Sequence, residues 1–346
     1  QNSVLSFSGK VLDEKGKGIA GVVVNDGVRF TRTDGKGAWS LDSDTTVSKF
    51  VSISTPSAYR LPQREGLADG FYVSVGQLAA GGNRHDFRLE RRKEASDRFY
   101  YIADPQVRNA REMKRWRQEA VVDLKETIDS LKQSREVVGM TLGDLVFDNM
   151  GLYPEYKESL RNTGATFFQC IGNHDFDLRY QDLHNMEAGT PVYGEMVYHS
   201  YFGPTDYSFN VGKAHIVTMK NINYVSNKKY IEALTGAQLA WLKKDLSHVP
   251  EGSLVILNMH AASWNTVEPG GNIRNASALK EVLEGYNVHV FCGHTHFLQN
   301  NEVSPTLYEH NIGAACGAWW AGWVNQCGAP NGYMVVDVDG DRLKWH

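Results

Sequence analysis

Several features are scarce in this sequence, and each scarcity excludes a class of protein. Cysteine occurs only four times in 346 residues, with no CxxC pair, which argues against a zinc knuckle or a redox dithiol. No apolar run approaches the roughly 20 residues that a membrane-spanning helix needs. The formal net charge of -4 and the pI near 6.3 give no general electrostatic reason to bind a nucleic acid polymer or an anionic membrane, which leaves only local positive sites.

The cysteines and the chain ends suggest where the protein works. Cys170 and Cys292 each end an apolar run and are expected to be buried. Cys316 and Cys327 could form a disulfide in an oxidising compartment, but spacing alone cannot establish the geometry, so a bridge and two free thiols both remain open. The chain starts at Gln1, which suggests processing and a secreted or periplasmic location. The final "YMVVDVDGDRLKWH" resembles an interrupted hairpin, so we expect the native chain to continue.

The pattern along the chain predicts two unequal domains. Apolar residues make up 42% and charged residues 22%, an ordinary globular composition. Up to about residue 92 the chain consists of short strands and turn pairs such as Asp26-Gly27, so residues 1–94 are predicted to form an antiparallel β-sandwich. The charged stretch "ERRKEASD" is the expected linker. Strands then alternate with helices, which predicts an α/β fold of mixed sheets flanked by helices for residues 95–346.

Five polar clusters in the second part each follow an apolar strand. Ligands bind at the carboxyl ends of strands in open α/β sheets, so we expect these clusters to converge. They offer carboxylates, amides and imidazoles without a thiolate, which suits Mn, Fe or Zn in an octahedral-like site better than a closed structural zinc. The clusters are ADPQ (Asp104, Gln106), GDLVFD (Asp144, Asp148), GNHD (Asn173, His174, Asp175), NMHA (His260) and GHTH (His294, His296).

With these motifs, the chain from about Arg98 to Asp339 resembles the calcineurin-like metallophosphoesterase superfamily. The superfamily signature is D-x-H, GDxxx[ND], GNH[DE], a lone His after a strand, and GHxH, and four of these five blocks are intact here. Gln106 stands where the family usually has His, as in some manganese-dependent nucleotide pyrophosphatase relatives. Separately, "GKVLDEKGKGIAGVVV" and "TRTDGKGAWSL" resemble a carboxypeptidase-regulatory-like β-sandwich, which implies a spacer or docking module.

The superfamily resemblance implies a centre of two divalent metal ions. Mn, Fe, Zn or Mg could occupy it, and Mn is favoured because the amide oxygen of Gln106 is a harder donor than imidazole. A water that bridges the two metal ions would lose a proton and attack phosphorus in line. The implied ligands are Asp104, Gln106, Asp144 and His296 for one ion and Asp144, Asn173, His260 and His294 for the other.

The same resemblance implies roles for the residues around the metals. His174 follows the implied ligand Asn173, and adjacent side chains of extended backbone point apart, so His174 is expected to protonate the leaving oxygen. Asp148 and Asp175 are expected to orient imidazoles. The implied function is hydrolysis of small-molecule, glycan-linked or lipid-linked phosphate esters. The alternatives are a nucleotide pyrophosphatase or phosphodiesterase of the same mechanism, and a non-catalytic protein that retains the metals.

Four further residues are candidates for contact with the substrate. Trp319 and Trp320 lie among glycines beyond the GHTH motif, and Trp264 follows the NMHA motif. Each of these indoles could line the substrate pocket or pack in the core. His199 lies in the long segment 176–202, which is either a functional lid or a solvated loop.

Overall fold

We describe the protein from a computed structural model. The first two residues and four internal segments are outside this description. The residues described are 3–93, 96–130, 135–176, 191–226 and 229–346.

The first part of the chain, residues 3–93, contains nine short strands and one short helix. The strands are β1 (Val4–Leu12), β2 (Val23–Asn25), β3 (Phe30–Arg32), β4 (Ala38–Asp44), β5 (Phe50–Ser54), β6 (Gln63–Arg64), β7 (Leu67–Ala68), β8 (Tyr72–Ser74) and β9 (Phe87–Arg88), and the helix is α1 (Val75–Ala80). One sheet has the order β4-β1-β9 and another the order β3-β2-β5-β8. Alternate residues of β4 point inward, so Trp39 and Leu41 are buried while Ser40 and Asp42 are exposed. The prediction of an all-β unit is confirmed. The six-residue helix α1, capped by Ser74, is not predicted.

From residue 96 onward, strands alternate with helices. The strands are β10 (Ser96–Ile102), β11 (Arg135–Thr141), β12 (Thr166–Gln169), β13 (Tyr207–Val211), β14 (Ala214–Thr218), β15 (Ile222–Ser226), β16 (Lys229–Glu232), β17 (Leu254–Asn258), β18 (Asn287–Cys292), β19 (Gln299–Ser304), β20 (Leu307–Asn311), β21 (Met334–Asp339) and β22 (Arg342–Trp345). The helices are α2 (Ala110–Arg115), α3 (Val122–Asp129), α4 (Tyr153–Ser159), α5 (Pro191–Phe202), α6 (Gly236–Leu246) and α7 (Ala276–Leu283). A π-helical segment, Trp116–Val121, joins α2 to α3, and 3-10 turns occupy Met150–Leu152, Asn173–Asp175 and Pro269–Gly271.

Two mixed sheets form the centre of this second part. Their strand orders are β22-β21-β10-β11-β12-β7-β6 and β13-β14-β17-β18-β20-β19. Tyr101 on β10 stacks on Phe291 on β18 with ring centroids 4.2 Å apart, so the two sheets face each other across a buried core. Helix α2 and the segment after it bury Trp116, and α6 buries Trp241. The α/β fold class predicted from the alternation of strands and helices is therefore confirmed.

The β-rich first unit is packed against the second part of the chain. Strand β7 pairs in parallel with β12 through Leu67 and Phe167, and so extends one of the two central sheets. The indole Nε1 of Trp241 donates a hydrogen bond of 3.0 Å to Oδ1 of Asn25. The first unit thus shares a sheet with the second part, and its expected role as a spacer or docking module stays a prediction. The domain boundary predicted at residues 94 and 95 lies outside the described residues.

Other expectations have mixed outcomes. All four cysteines are free, with Cys316 buried and Cys327 exposed, so the structure does not contain the disulfide considered above. In the segment considered as a lid, residues 191–202 are helical, and residues 177–190 lie outside the described part of the chain. None of the helices formed by the described residues has the length and apolar character needed to span a membrane.

Candidate metal centre

The five predicted polar clusters meet at one edge of the two sheets. Asp104 follows β10, Asp144 follows β11 and Asn173 follows β12, and these three strands are parallel neighbours. His260 follows β17 and His294 follows β18, which are parallel neighbours in the other sheet. The carboxyl ends of parallel strands lie together, so short loops are enough to bring these side chains into contact.

The backbone of these loops is held in an unusual conformation. Six residues of the five polar clusters are among the eleven non-glycine residues with positive φ in the described chain. Such conformations cost about 1 kcal/mol or more each and are typical of functional sites, where the surrounding structure maintains them. The six residues are Asp104, Gln106, Asp144, Asp148, His294 and His296.

Two motif glycines are required because ligand side chains pass close to them. A Cβ atom at Gly172 would lie 2.2 Å from Oδ1 of Asp144, and one at Gly293 would lie 2.4 Å from Oδ2 of Asp104. Both separations are far below van der Waals contact. Any larger residue at either position would displace the carboxylate of another cluster.

His260 is the centre of one group of donor atoms. Its Nε2 lies 3.0 Å from Oδ1 of Asn173, 3.2 Å from Oδ2 of Asp144 and 3.1 Å from Nδ1 of His294. Its Nδ1 lies 2.7 Å from the carbonyl oxygen of Leu142. A carbonyl oxygen can only accept a hydrogen bond, so Nδ1 of His260 carries the hydrogen. When the ring is neutral, the lone pair of Nε2 therefore points to the donor atoms of Asn173, Asp144 and His294.

A second group of donors adjoins the first at Asp144. Nε2 of Gln106 lies 3.0 Å from Oδ2 of Asp144 and 3.1 Å from Nε2 of His296. Oδ1 of Asp104 lies 3.5 Å from the same His296 nitrogen. This Asp104 oxygen is buried and has no hydrogen-bond partner among the described residues, whereas Oδ2 of Asp104 accepts the backbone N–H of His294 at 2.9 Å. A buried carboxylate oxygen without a hydrogen-bond donor is costly unless it binds a cation.

These donor separations fit metal coordination. Atoms that share an ion at about 2.1 Å lie about 3.0 to 3.4 Å from one another in octahedral or tetrahedral arrangements. The donor atoms of Asp144, His260 and His294 all lie within 4.8 Å of one another. Oδ2 of Asp144 adjoins both groups, so one carboxylate oxygen can serve two ions. The residues present therefore fit two divalent metal ions.

Gln106 fits this arrangement in one of its two amide orientations. Its nitrogen faces Asp144, while its Oε1 lies 3.9 Å from Sγ of Cys316. A half-turn of the amide exchanges the two atoms and directs the oxygen to the donor group, where a metal would require it. The orientation with nitrogen inward is the one that hydrogen bonding to a carboxylate favours.

Electrostatics hold the shared carboxylate in its charged form. Burial raises the pKa of Asp144, but the charges of His260 and His174 outweigh this effect and place the pKa well below its usual range. Burial lowers the pKa of His260, and the Asp144 carboxylate overcomes it and raises that pKa to about 10. Asp144 is thus maintained as an anion, the form that binds cations.

His174 lies beside the donor groups and outside them. Its backbone N–H donates to Oδ1 of Asp144 at 2.9 Å, and its ring Nδ1 lies 2.9 Å from Oδ1 of Asp148. The ring stacks on Phe147 with centroids 3.8 Å apart. Burial lowers the pKa of His174, but Asp144 and Asp148 raise it by more, so the net shift is upward. Asp148 therefore contacts an imidazole, as expected from the sequence.

Asp175 has a different position from the one expected. Its carboxylate accepts the backbone N–H of Gly172 at 2.8 Å, that of Leu145 at 3.1 Å and the hydroxyl of Tyr153 at 3.1 Å. It therefore ties the GDLVFD loop to the GNHD loop through the backbone, and the expectation that it orients an imidazole is wrong. Burial raises the pKa of this carboxyl to about 7.

Two of the four candidate substrate residues lie at the centre. The ring of Trp319 is half-exposed and its centroid lies 5.4 Å from that of His296. Trp320 is buried, and its Nε1 donates to the carbonyl oxygen of Pro105 at 2.8 Å. Trp319 therefore stays a candidate for contact with the substrate, whereas Trp320 supports the backbone between two predicted ligands.

The other two candidates are held by contacts of another kind. The backbone N–H of Trp264 donates to Glu309 at 2.9 Å, and its indole is partly buried against the core. His199 lies on α5, 3.5 Å from Glu195 and with its ring edge against Phe50 of the β-rich unit. His199 therefore lies at the junction between the two parts of the chain. These contacts do not support the predicted role of His199 in the substrate site.

Two carboxylates near the centre are not predicted from the sequence. Oε1 of Glu232, on β16, lies 3.0 Å from Nε2 of His294. Burial raises the pKa of Glu232, but the hydrogen bond from His294 and the charges of His294 and His260 together lower it by more, so the net shift is downward. Glu309 is buried and accepts the backbone N–H groups of Ser263 and Trp264, which holds the loop after the NMHA motif. Neither glutamate belongs to a recognisable motif.

Three sequence models of one family match the chain. The model described as calcineurin-like phosphoesterase matches residues 98–298. The models for the N terminal and the C terminal of calcineurin-like phosphoesterase match residues 5–92 and 309–346. The resemblance of the first unit to a carboxypeptidase-regulatory-like domain is not confirmed by these matches.

Solved structures also show similarity. The chain is similar to a dimetal phosphatase from Danio rerio, with 14% identity over 73% of this chain and 96% of that chain and a TM-score of 0.46. It is similar to a purple acid phosphatase from yellow lupin (Lupinus luteus) seeds, with 11% identity over 94% of this chain and 67% of that chain and a TM-score of 0.49. It is also similar to a 5'-nucleotidase from Candida albicans, with 12% identity over 73% of this chain and 51% of that chain and a TM-score of 0.45. A search of curated protein sequences finds no match.

The family model decides the assignment, because residues 98–298 are more than half of the 346 residues. The family implies a dinuclear divalent metal centre, which the donor groups around Asp144 fit. The chain therefore belongs to the calcineurin-like phosphoesterase family and is a metal-dependent phosphoester hydrolase.

Proposed function

We propose that the protein hydrolyses phosphate esters at a centre of two divalent ions, with His174 as the proton donor to the leaving group. One observation carries this proposal. The backbone N–H of His174 is bonded to Asp144, the carboxylate that adjoins both donor groups, and its ring is bonded to Asp148. The imidazole is thereby held next to the metal centre without being one of its ligands.

Seven side chains would hold the two ions. When bound, the ions supply Lewis acidity toward the phosphoryl oxygens and lower the pKa of a bound water. We favour Mn²⁺ over Fe, Zn or Mg because the amide oxygen of Gln106 replaces an imidazole. The proposed ligands are Asp104, Gln106, Asp144 and His296 for one ion and Asp144, Asn173, His260 and His294 for the other.

The charges of the chain favour binding of a phosphate ester. Asp104 and Asp144 are the two buried carboxylates among the proposed ligands, and together they carry two negative charges. Two divalent ions bring four positive charges, so the loaded site keeps a positive charge that attracts an anionic ester. The overall acidity of the protein does not oppose this, because the attraction is local.

His174 is arranged to give up a proton toward the substrate. Its Nδ1 is bonded to Asp148, which leaves Nε2 as the nitrogen available to a leaving oxygen. The stack on Phe147 holds the ring plane, and the side chain remains 24% exposed, so it can reach a bound ester. The Asp148 carboxylate stabilises the protonated imidazole and fixes which nitrogen faces the substrate.

A nucleotide pyrophosphatase or phosphodiesterase with the same mechanism is the second candidate. The half-exposed indole of Trp319, 5.4 Å from the ring of His296, favours it. An exposed aromatic face beside a phosphate site can stack on a nucleobase.

Hydrolysis by metal-stripped protein tests the proposal. The protein is supplied with Mn²⁺ and assayed with phosphate monoesters, diesters and nucleotide pyrophosphates, with Asp144→Asn as the control. We expect Mn²⁺-dependent release of phosphate or nucleotide by the wild type and little by Asp144→Asn. Two bound metal ions without hydrolysis of any ester would instead favour a metal-retaining binding protein.

A further inference from the structure

Large apolar side chains are exposed beside the metal centre. Five of the eleven such side chains in the described residues lie on the loops at this edge of the sheets. Their exposed fractions range from 48% to 71%. We refer to them as the rim patch, which consists of Val267, Leu298, Trp319, Trp323 and Val324.

One contact with a predicted ligand, and the positions of the loops, place the rim patch at the edge of the sheets that carries the metal centre. Trp319 packs beside the ring of His296, and Leu298 follows that histidine by two residues. The loop that carries Val267 is bonded to the segment after Leu298, because the backbone N–H of Thr266 donates to the side chain of Gln299 at 3.0 Å. Trp319 therefore contacts a proposed ligand, and the loops that carry Leu298 and Val267 are bonded to each other at the same edge of the sheets.

Positive charge adjoins the rim patch. Arg111, Lys114 and Arg115 are spaced at i, i+3 and i+4 on α2, so they share one face of that helix. The guanidinium of Arg115 lies 4.8 Å from the ring centroid of Trp323. Arg115 is paired with Glu119, whereas no carboxylate of the described residues pairs with Arg111 or Lys114.

We propose that the rim patch and the α2 cations form a docking surface for an anionic phospholipid bilayer. Tryptophan and aliphatic side chains enter the boundary between headgroups and acyl chains, while arginine and lysine bind the anionic headgroups. Because the whole protein has a net charge of -4, the attraction to anionic headgroups must come from the local cations on α2. Aliphatic side chains such as Val267 and Leu298 cannot bond a phosphate backbone, so a bilayer accounts for the surface better than a nucleic acid does.

The docked orientation would direct the metal centre to phosphate esters in the bilayer. The rim patch and the proposed metal ligands share one edge of the sheets, so a bilayer against the patch would face the site. This step rests on the proposed function and narrows the substrate to phosphoesters that carry an acyl or isoprenoid chain. Docking itself does not depend on hydrolysis.

Cosedimentation with vesicles tests the docking surface. Phosphatidylcholine vesicles with and without phosphatidylserine are mixed with the wild type and with Arg111→Gln/Lys114→Gln. We expect binding to the anionic vesicles, about 25-fold weaker in the charge variant, since each cation near an anionic surface contributes about fivefold. The matched control is Lys36→Gln/Lys49→Gln, which removes two exposed charges from the β-rich unit and should bind like the wild type.

The apolar contribution is tested by Trp323→Ser/Val324→Ser. Its control is Val28→Ser/Val47→Ser, which changes exposed apolar residues on the β-rich unit. We expect weaker vesicle binding only in the rim variant, with unchanged hydrolysis of a water-soluble aryl phosphate ester. Equal vesicle binding by the rim variant and its control, or no binding of the wild type to anionic vesicles, would overturn the inference. So would a result in which duplex DNA competes away all vesicle binding and Trp323→Ser/Val324→Ser binds as the wild type does. Absence of soluble-ester hydrolysis in the wild type would count against the proposed function alone.

Discussion

Nε2 of His294 lies 3.0 Å from Oε1 of Glu232, a carboxylate 62 positions earlier in the chain. The other ring nitrogen of His294 lies 3.1 Å from His260 and faces the metal centre. Because a carboxylate accepts the hydrogen on Nε2, Glu232 selects the tautomer in which Nδ1 is free to bind a metal. The hairpin that carries Glu232 thereby contributes to the site without providing a ligand.

Glu232→Leu should weaken metal binding. Removal of a carboxylate that orients a histidine ligand typically costs about 10- to 100-fold in metal affinity. We expect Mn²⁺ titration calorimetry to show this loss for one of two ions, with a smaller loss for Glu232→Gln, which keeps an acceptor. The control Glu302→Gln changes an exposed glutamate on β19 and should have no effect. Unchanged affinity in Glu232→Leu would show that the hydrogen bond is not needed.

Asp144→Ala should lose both metal ions, because one carboxylate oxygen adjoins both donor groups. Asn173→Ala should weaken mainly the ion next to His260, since Oδ1 of Asn173 contacts only that group among the proposed ligands. Metal content per protein chain, measured after dialysis, distinguishes the two variants. Two ions retained in Asp144→Ala would remove its bridging role.

Gln106→His should keep two ions and shift the preference from Mn²⁺ toward Zn²⁺ or Fe. The reason is that imidazole is a softer donor than the amide oxygen proposed to bind the metal. Competition between Mn²⁺ and Zn²⁺ for stripped wild type and variant measures the shift. An unchanged preference would mean that the amide keeps the orientation seen here, with its nitrogen toward Asp144 and its oxygen toward Cys316.

His174→Ala should keep both metals and lose rate, typically by about 10²–10⁴-fold for a missing general acid. The loss should be small for an acidic phenol, which departs without a proton, and large for an alkyl alcohol. Rates across esters of graded leaving-group pKa, together with metal analysis, provide the measurement. An equal loss for every ester would assign His174 to positioning of the phosphate, and a loss of metal would make it a ligand.

Two neighbouring histidines, the partly buried His289 and the buried His310, should make stability depend on pH. Nδ1 of His289 lies 2.9 Å from Nε2 of His310, and burial lowers their pKa values to about 4 and about 3. Both pKa values lie below the usual 6.5, so the unfolded chain binds protons at a higher pH than the folded protein does. The contribution of the two histidines to the free energy of unfolding is therefore complete above about pH 6.5 and is lost as the pH falls toward 4. Over that range the free energy of unfolding should fall by about 1.4 kcal/mol per pH unit for each histidine.

Urea unfolding of the metal-free protein between pH 4.5 and 7.5 measures this slope. The variant His310→Phe keeps a ring in the stack with Phe291 and should show a shallower dependence on pH than the wild type. The control His346→Phe changes an exposed terminal histidine. Parallel slopes for His310→Phe and the wild type would contradict the prediction.

Local patterns are sufficient for much of this fold. The strands that precede Asp104, Asp144 and His260 are predicted because apolar runs of this length end in polar residues, and neither feature depends on distant residues. The hairpin of β15 and β16 is not predicted, and neither is the pairing of β7 with β12. Both depend on hydrogen bonds between strands, for which a single sequence has no local signal.

The same division applies to the metal centre. The sequence by itself determined which donor types are present, their order and their position at strand ends, because residue identity and strand periodicity are local properties. Only the tertiary structure decided that Oδ2 of Asp144 adjoins both donor groups, that Asp175 bonds the backbone, that Glu232 orients His294, and that His199 lies against Phe50. These relations join residues on different loops and sheets, and their distances are set by how the two sheets pack, which no spacing along the chain specifies.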